Sequence, residues 1–224
     1  MDNILIVAAH PDDEVLGCGG TMARHAEMGD QVYVVFMTNG VGSRDVSNKE
    51  IKSRQEAARN AANILGIFSI KFFDFPDNKM DSIPLIEIIQ SIEDIVEELQ
   101  PKIIYTHHIG DLNIDHQLTH KAVLTACRPI PESSVQEIYT FEVLSSTDWS
   151  FSTIDSFNPN YFIEITSYID KRSAALEAYN IELRQAPHSR SLNHIDSIAK
   201  FRGNTVGVDM AEAFMVVRKL LKNS

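Results

Sequence analysis

The run Asn3-Ile-Leu-Ile-Val-Ala-Ala9 is apolar at every position after its first residue and is rich in β-branched side chains. This pattern is typical of a central strand that is buried on both faces of a sheet. Apolar residues then recur at helical spacing over 14–28, where Gly29 ends the pattern, and residues 31–38 form a second apolar run. The order of strand, helix and strand predicts the start of a parallel α/β sheet.

The same alternation continues through the rest of the chain. Further strands are predicted at residues 70–73, 103–106, 137–141, 162–165 and 212–218, and further helices at residues 51–65, 83–99, 119–127, 168–183 and 195–201. Ser47 and Glu50 form a capping box before the second helix. We therefore predict one α/β domain over residues 1–224, with a Rossmann-like, mostly parallel sheet and helices on both faces. The polar stretch 145–160 is either a linker or an active-site loop.

Composition excludes several classes of protein. The chain has 224 residues, of which 20 are basic and 31 acidic, and a formal charge of −11. A chain this acidic repels phosphate backbones, so a nucleic-acid partner is not expected. Cys18 and Cys127 are too few for a disulfide scaffold. No stretch reaches the roughly 18 to 20 apolar residues of a membrane helix, and the N-terminus lacks the basic region of a signal peptide, which predicts a cytoplasmic protein without a membrane span.

The first polar cluster, His10-Pro-Asp-Asp-Glu14, directly follows the first predicted strand. An imidazole and carboxylates that converge on one loop suit a zinc site, and Pro11 stiffens that loop. A second interpretation is a helix N-terminus, in which Asp12 or Asp13 is the N-cap. Acidic side chains there interact favourably with the positive end of the helix dipole. The position at the end of a buried strand favours a site, because ligands of parallel sheets bind beyond the carboxyl ends of the strands.

The second polar cluster, residues 107–120, follows the strand predicted at 103–106. Four of the eight histidines lie in it, together with Asp111 and Asp115. His116 and His120 are four residues apart and would share one helix face. A surface loop before a solvated helix start is the alternative, and some of these histidines would be bystanders. Both clusters lie at the same end of the sheet, so together they predict a catalytic zinc site with three protein ligands, a water and a carboxylate base.

Two further segments have two interpretations each. Gly17-Cys-Gly-Gly20 resembles a dinucleotide loop, but its spacing is not GxGxxG and the neighbouring acidic cluster would repel phosphates. These glycines fit better with a close approach of helix and sheet. Arg54 lies beyond the second strand, where it could hold substrate hydroxyls or a phosphate, or could be an ordinary charge on a surface helix. Composition gives no role to His188-Ser-Arg190.

The two polar clusters resemble those of the PIG-L/LmbE family of zinc-dependent N-acetylglucosaminyl deacetylases. The resemblance extends over most of the chain, through Arg54-Gln-Glu-Ala57, Leu65-Gly66, Pro76-Asp77-Asn78, Arg202-Gly203 and Ala211-Glu-Ala-Phe214. It implies that His10, Asp13 and His116 bind Zn²⁺, and that Asp12 is the general base. Ligands of this kind discriminate weakly between metals, so iron or another divalent ion is an alternative.

The sequence departs from several members of that family at one position. Those members have a histidine three residues before the ligand histidine, where it helps to stabilise the oxyanion, whereas this chain has Asn113. An amide can donate a hydrogen bond but cannot supply a proton. Either Asn113 acts as a donor only, or His107, His108 or His120 takes that part. Asp115 is then a carboxylate that orients a neighbouring residue.

The resemblance implies an enzyme that removes acetate from an N-acetylated amino sugar or glycoconjugate. Arg54, His107 and His120 are predicted to contact the substrate. The resemblance also implies assembly as a homo-oligomer, either a trimer or a hexamer. Three alternatives remain: hydrolysis of another amide-linked sugar conjugate, a non-catalytic metal-binding protein on the same scaffold, and a nucleotide-dependent enzyme.

Overall fold

A seven-stranded sheet runs through the part of the chain that the computed structural model describes, residues 1–39, 48–151 and 153–221. Its strands are β1 (Asn3–Ala8), β2 (Gln31–Thr38), β3 (Ser69–Phe75), β4 (Ile103–His107), β5 (Glu137–Phe141), β6 (Tyr161–Glu164) and β7 (Ala211–Lys219). The spatial order is β3-β2-β1-β4-β5-β7-β6. Strands β1 to β5 pair in parallel, and β7 runs antiparallel to both β5 and β6. The predicted mostly parallel sheet is confirmed.

Helices cover both faces of this sheet, as predicted. They are α1 (Asp13–Glu27), α2 (Asn48–Leu65), α3 (Leu85–Leu99), α4 (Ile114–Ala126), α5 (Ile169–Ala178) and α6 (Leu192–Val206), with short 3-10 turns at Met80–Ser82 and Thr166–Tyr168. One apolar cluster joins the sheet to α1, α2, α5 and α6, and a second joins it to α3 and α4. Ile4 and Ile6 of β1 pack into the first cluster, and Leu5 and Val7 into the second. The strand is apolar at both its odd and its even positions because both its faces are buried.

The strand order places a crevice at the carboxyl ends of β1 and β4. From β1 the chain builds outward through β2 to β3, and then returns to the other side of β1 for β4 and β5. Such a reversal of strand order separates the connections that leave neighbouring strands, and it leaves a crevice where open α/β sheets bind ligands. The two polar clusters of the sequence follow β1 and β4, so the fold brings both to the edge of this crevice.

Several helices, α3 and α4 among them, begin at residues other than those predicted. Helix α4 begins at Ile114, five residues before the predicted start at 119. The Asn113 side chain accepts a hydrogen bond from the backbone N–H of Asp115, which caps the helix earlier in the chain. Helix α3 begins at Leu85 rather than 83. Ile83 is extended because a residue before proline is disfavoured in the helical region.

Helices α5 and α6 also differ from their predicted bounds. Helix α5 ends at Ala178 rather than 183, and α6 covers Leu192–Val206 rather than 195–201. The residues after Ala178 that the apolar pattern assigned to α5 lie outside the helix. Among them, Tyr179 and Glu182 form hydrogen bonds to distant parts of the chain. Tertiary contacts therefore outweigh the local helical pattern. The predicted capping residue Ser47 lies outside the described residues.

The glycines of α1 allow close packing of this helix against its surroundings, as predicted. A Cβ atom at Gly17 would lie 2.3 Å from the Phe141 ring, and one at Gly20 would lie 2.7 Å from Ile165. We expect Gly17→Ala to lower the free energy of unfolding by about 1–3 kcal/mol, because Phe141 is fully buried and has to move. Urea denaturation measures the change. An unchanged or increased stability would contradict the close approach.

Among the described residues, no helix combines the length and the apolar character that spanning a bilayer requires.

Candidate metal centre and active-site cavity

Three donor atoms from three places in the chain meet at the crevice. His10 follows β1, Asp13 begins α1 and His116 lies in the first turn of α4. His10 Nδ1 lies 3.1 Å from Asp13 Oδ2 and 3.1 Å from His116 Nε2, and the remaining edge, from His116 Nε2 to Asp13 Oδ2, is 3.2 Å. A tetrahedral zinc ion with bonds of 2.0–2.1 Å separates its ligand atoms by about 3.3 Å. The triangle therefore has the size that one such ion requires.

The outward nitrogen of His10 supports the same interpretation. Nε2 of this ring lies 3.1 Å from Asp77 Oδ1 and 3.1 Å from Asp115 Oδ2. A proton on Nε2 satisfies these carboxylates and leaves the Nδ1 lone pair directed at the triangle. Carboxylates that hold the outer nitrogen of a ligand histidine are typical of metal sites, since they fix the tautomer and the orientation of the ring.

A carboxylate also lies beside the outward nitrogen of His116. Its Nδ1 lies 3.1 Å from Asp111 Oδ1. The hydroxyls of Ser146 and Thr147 also donate to Asp111. Burial acts to raise the pKa of Asp111, but the charge of His116 and these hydrogen bonds lower it to about 2. Asp111 is therefore a carboxylate at neutral pH, and each histidine of the triangle has a carboxylate oxygen 3.1 Å from its outward nitrogen.

Asp12 lies between two members of the triangle in the chain and lines the same cavity. The residue is 1% exposed, and Arg190 Nη1 donates to its Oδ2 at 2.8 Å. Burial raises the pKa of Asp12 above its ordinary value, against the opposing charges of Arg190 and then of Arg54. A buried carboxylate with a raised pKa is a stronger base than one in water, which suits proton transfer.

The centre opens into a polar cavity of about 540 Å³. This size lies within the usual range for small-molecule sites. Besides the triangle and Asp12, the lining residues that bear on substrate binding are Arg54, Asn78, Asn113, Ser146, Glu182 and Arg190. Arg54 donates to Glu182 Oε1 at 2.6 Å and to the Pro11 carbonyl at 3.2 Å. The structure thus brings the predicted substrate contact Arg54 to the cavity wall.

Asn113, predicted as a candidate oxyanion donor, and Asp115, predicted as an orienting carboxylate of the catalytic site, have different surroundings. Asn113 lines the cavity and donates from Nδ2 to Asn78 Oδ1 at 3.0 Å. Asp115 is fully buried, and its oxygens accept hydrogen bonds from the backbone N–H groups of Asn78 and Met80. Asp115 therefore contacts His10 rather than the cavity, which fits the orienting role expected for it.

Two histidines predicted to contact the substrate do not line the cavity. His107 is fully buried; its Nε2 accepts from the Ala9 N–H, and its ring stacks on His116 with centroids 3.9 Å apart. His120 bonds through Nδ1 to the His107 carbonyl. His108, considered as an oxyanion donor, bonds to the Asp155 carbonyl instead. The structure gives no support to a role in the cavity for these rings, because none of the three residues is among those that line it.

Several cavity residues were given no individual role by the sequence. Arg190 and Glu182 come from the turns between α5 and α6, and Ser146 comes from the stretch after β5. The lining by Ser146 supports the active-site interpretation of the polar stretch 145–160 over the linker one. No periodicity or motif marks these positions, because each contributes a single side chain from irregular backbone.

These features define the class: a Rossmann-like α/β protein with a candidate mononuclear metal centre in a polar cavity at the switch point of its sheet. The chain belongs to the PIG-L family. The family model described as GlcNAc-PI de-N-acetylase matches residues 5–127, which contain both polar clusters.

Several relatives are similar over much of the chain. The uncharacterized deacetylase YaiS of Escherichia coli is 37% identical over 134 residues, which cover 58% of this chain and 70% of the relative. A probable N-acetyl-α-D-glucosaminyl L-malate deacetylase of Bacillus anthracis is 26% identical, and the match covers 79% of this chain and 80% of the relative. The 4-oxalmesaconate hydratase of Pseudomonas putida is 28% identical, and the match covers 77% of this chain and 71% of the relative.

A solved structure supports the assignment of the fold. The N,N'-diacetylchitobiose deacetylase of Pyrococcus horikoshii superposes with a TM-score of 0.79, over 97% of this chain and 84% of that one, at 22% identity. Similarity at this level of identity supports the fold and not the activity.

Proposed function

We propose that this protein is a metal-dependent N-deacetylase that removes the acetyl group from an N-acetylglucosamine-type sugar or sugar conjugate. The observation that carries the proposal is the buried carboxylate of Asp12 beside a triangle of His10, Asp13 and His116, in a cavity that can admit a sugar. Three ligands with an adjacent base is the arrangement of a catalytic rather than a structural zinc site. Membership of the PIG-L family supports the same reaction.

The donor set favours zinc, and iron or another divalent ion remains an alternative because nitrogen and oxygen ligands select weakly. When bound, such an ion acidifies water and polarises an amide carbonyl. Asp12 accepts the proton of the attacking water, and Arg190 holds this carboxylate by donating to its Oδ2. The same carboxyl group then returns the proton to the departing amine, since an amide anion is too basic to leave without one.

Asn113 is the proposed oxyanion donor among the residues of the second cluster. One Nδ2 proton of Asn113 is donated to Asn78 Oδ1, and the second can be donated to a group bound in the cavity. A donor fixed in this way stabilises the charge that develops on the carbonyl oxygen without reorganisation. Asn113 donates only, so the role of acid stays with Asp12.

The polar wall fits a substrate rich in hydroxyl groups, and Arg54 is the proposed hydroxyl or anion contact. Hydrolysis of another amide-linked sugar conjugate uses the same groups and stays an alternative. A single domain over residues 1–224, a homo-oligomer and a cytoplasmic location stay predictions from the sequence.

A second candidate function is the addition of water to a carbon–carbon double bond. The relative named as a hydratase favours it, and Arg54, Arg184 and Arg190 all line the cavity, where they could hold carboxylate groups. We place deacetylation first because the more similar relative is named as a deacetylase.

A panel of substrates tests both candidates together with the non-catalytic alternative. The panel contains free and nucleotide-linked N-acetylated sugars, assayed for released acetate, and an unsaturated dicarboxylic acid, assayed for loss of absorbance. We expect acetate release from at least one amino sugar, loss of that activity with a chelator, and its return with Zn²⁺. Hydration of the unsaturated acid alone would favour the second candidate. Bound metal without turnover of any compound, or turnover by metal-free protein, would contradict the proposal.

A further inference from the structure

Asp12 has a backbone conformation that is costly for any residue other than glycine. Its φ is 116° and its ψ is −29°, directly before the first residue of α1. Non-glycine residues stay in such regions only where their surroundings hold them there. The side chain of Asp12 faces the cavity from this backbone position. The contacts that hold the backbone therefore decide where the carboxylate lies.

A buried chain of two hydrogen bonds reaches this backbone. Glu14 Oε2 accepts from the Asp12 N–H at 3.0 Å, and Glu14 Oε1 accepts from the Tyr179 hydroxyl at 2.7 Å. Asp12, Glu14 and Tyr179 are 1%, 3% and 1% exposed. Tyr179 directly follows α5 and lies 165 residues from Glu14 in the chain. The contact is therefore made only when α5 packs against α1.

We propose that Tyr179 is a positioning residue for Asp12 and acts through Glu14. Its hydroxyl fixes one carboxyl oxygen of Glu14, so that the other oxygen stays directed at the Asp12 N–H. This inference rests on the proposed function, in which Asp12 is the general base. Without the hydroxyl, the Glu14 carboxyl can rotate, the Asp12 N–H loses its acceptor, and the backbone relaxes toward an ordinary φ that turns the carboxylate out of line.

The contact with Arg190 does not replace the hydrogen bonds through Glu14 and Tyr179. Its guanidinium donates to Asp12 Oδ2 and thus holds the end of the side chain, whereas Glu14 holds the backbone from which that side chain starts. A base that has to be placed within a fraction of an ångström needs both restraints, because small displacements of catalytic groups reduce rates strongly.

The first test is Tyr179→Phe, which removes one oxygen and keeps the ring. We expect kcat on the best substrate of the panel to fall at least about tenfold, while KM and metal content stay unchanged. Tyr105→Phe is the matched control, because Tyr105 belongs to the same apolar cluster as Tyr179. Its buried hydroxyl bonds to His25 Nε2, and neither Tyr105 nor His25 lines the cavity. The control should lose stability alone, with kcat per folded molecule unchanged.

A double variant separates positioning from general destabilisation. If Tyr179 acts through Asp12, adding Tyr179→Phe to Asp12→Asn causes no further loss of kcat, whereas a merely structural role lowers kcat by the same factor in both backgrounds. Where Tyr179→Phe does not fold, Glu14→Gln is the second variant. It keeps the volume but has one acceptor oxygen for two donors, so we expect the same loss.

Crystal structures of the variants give a readout that needs no substrate. We expect the Asp12 carboxylate to shift in Tyr179→Phe or Glu14→Gln and to stay in place in Tyr105→Phe. An unmoved Asp12 or an unchanged kcat in Tyr179→Phe would overturn this inference while the proposed function stands. Full turnover by Asp12→Asn would instead overturn the assignment of the base.

Discussion

Asp12→Asn should reduce kcat for deacetylation by at least about a hundredfold while metal content stays at the level of the parent protein. The amide keeps the size of the side chain and cannot accept the proton of the attacking water. Asp12 does not belong to the donor triangle, so its replacement leaves His10, Asp13 and His116 in place. Steady-state kinetics and metal analysis of the same samples give both quantities.

Glu212→Gln is the control for this variant. Glu212 is another buried carboxyl group, and it accepts from the backbone N–H groups of Gly20 and Thr21 outside the cavity. Its replacement should lower the free energy of unfolding but leave kcat per folded molecule close to that of the parent. If Asp12→Asn also keeps full turnover, Asp12 is not the base, and the mechanism proposed for this cavity is wrong.

His116→Ala should abolish metal binding and with it the activity. His116 Nε2 forms one corner of the triangle, and its removal leaves only His10 and Asp13 to hold the ion. Two ligands are too few for a stable zinc site in proteins. Metal analysis after dialysis and titration with Zn²⁺ measure the loss. Circular dichroism confirms that the variant is folded.

His120→Ala is the matched control, since His120 lies one turn further along α4 and is also buried. It bonds to the His107 carbonyl and does not line the cavity. We expect full metal content and a KM close to that of the parent. Equal metal loss in both variants would mean that α4 is disrupted and that the ligand set is not identified. A large rise in KM for His120→Ala would restore the substrate contact that the sequence suggested.

Much of the fold could be predicted from short-range patterns. The apolar run of β1 carries its own signal, because burial on both faces requires apolar side chains at both parities. The positions of His10 and His116 after predicted strands placed them at one edge of the sheet. The ligand set itself came from the family resemblance and not from spacing. The ends of helices were predicted less well than their existence. The helix α4 begins five residues before the predicted start at 119, because the Asn113 side chain caps it there.

Individual roles within the second cluster could not be read from the sequence. His107, His116 and His120 are chemically alike and close in the chain, yet only His116 joins the triangle. The difference depends on which ring nitrogen meets a backbone group: His107 and His120 bond to the main chain, whereas His116 has Asp111 on one side and the triangle on the other.

The sequence by itself determined the parallel α/β architecture and the edge of the sheet at which the chemistry lies, since both follow from patterns repeated over many neighbouring residues. Only the tertiary structure decided what surrounds the base. Arg190 and Tyr179 reach Asp12 and Glu14 across 178 and 165 residues. Such contacts leave no periodic trace, because each depends on one side chain and on how α5 and the turns after it pack against α1.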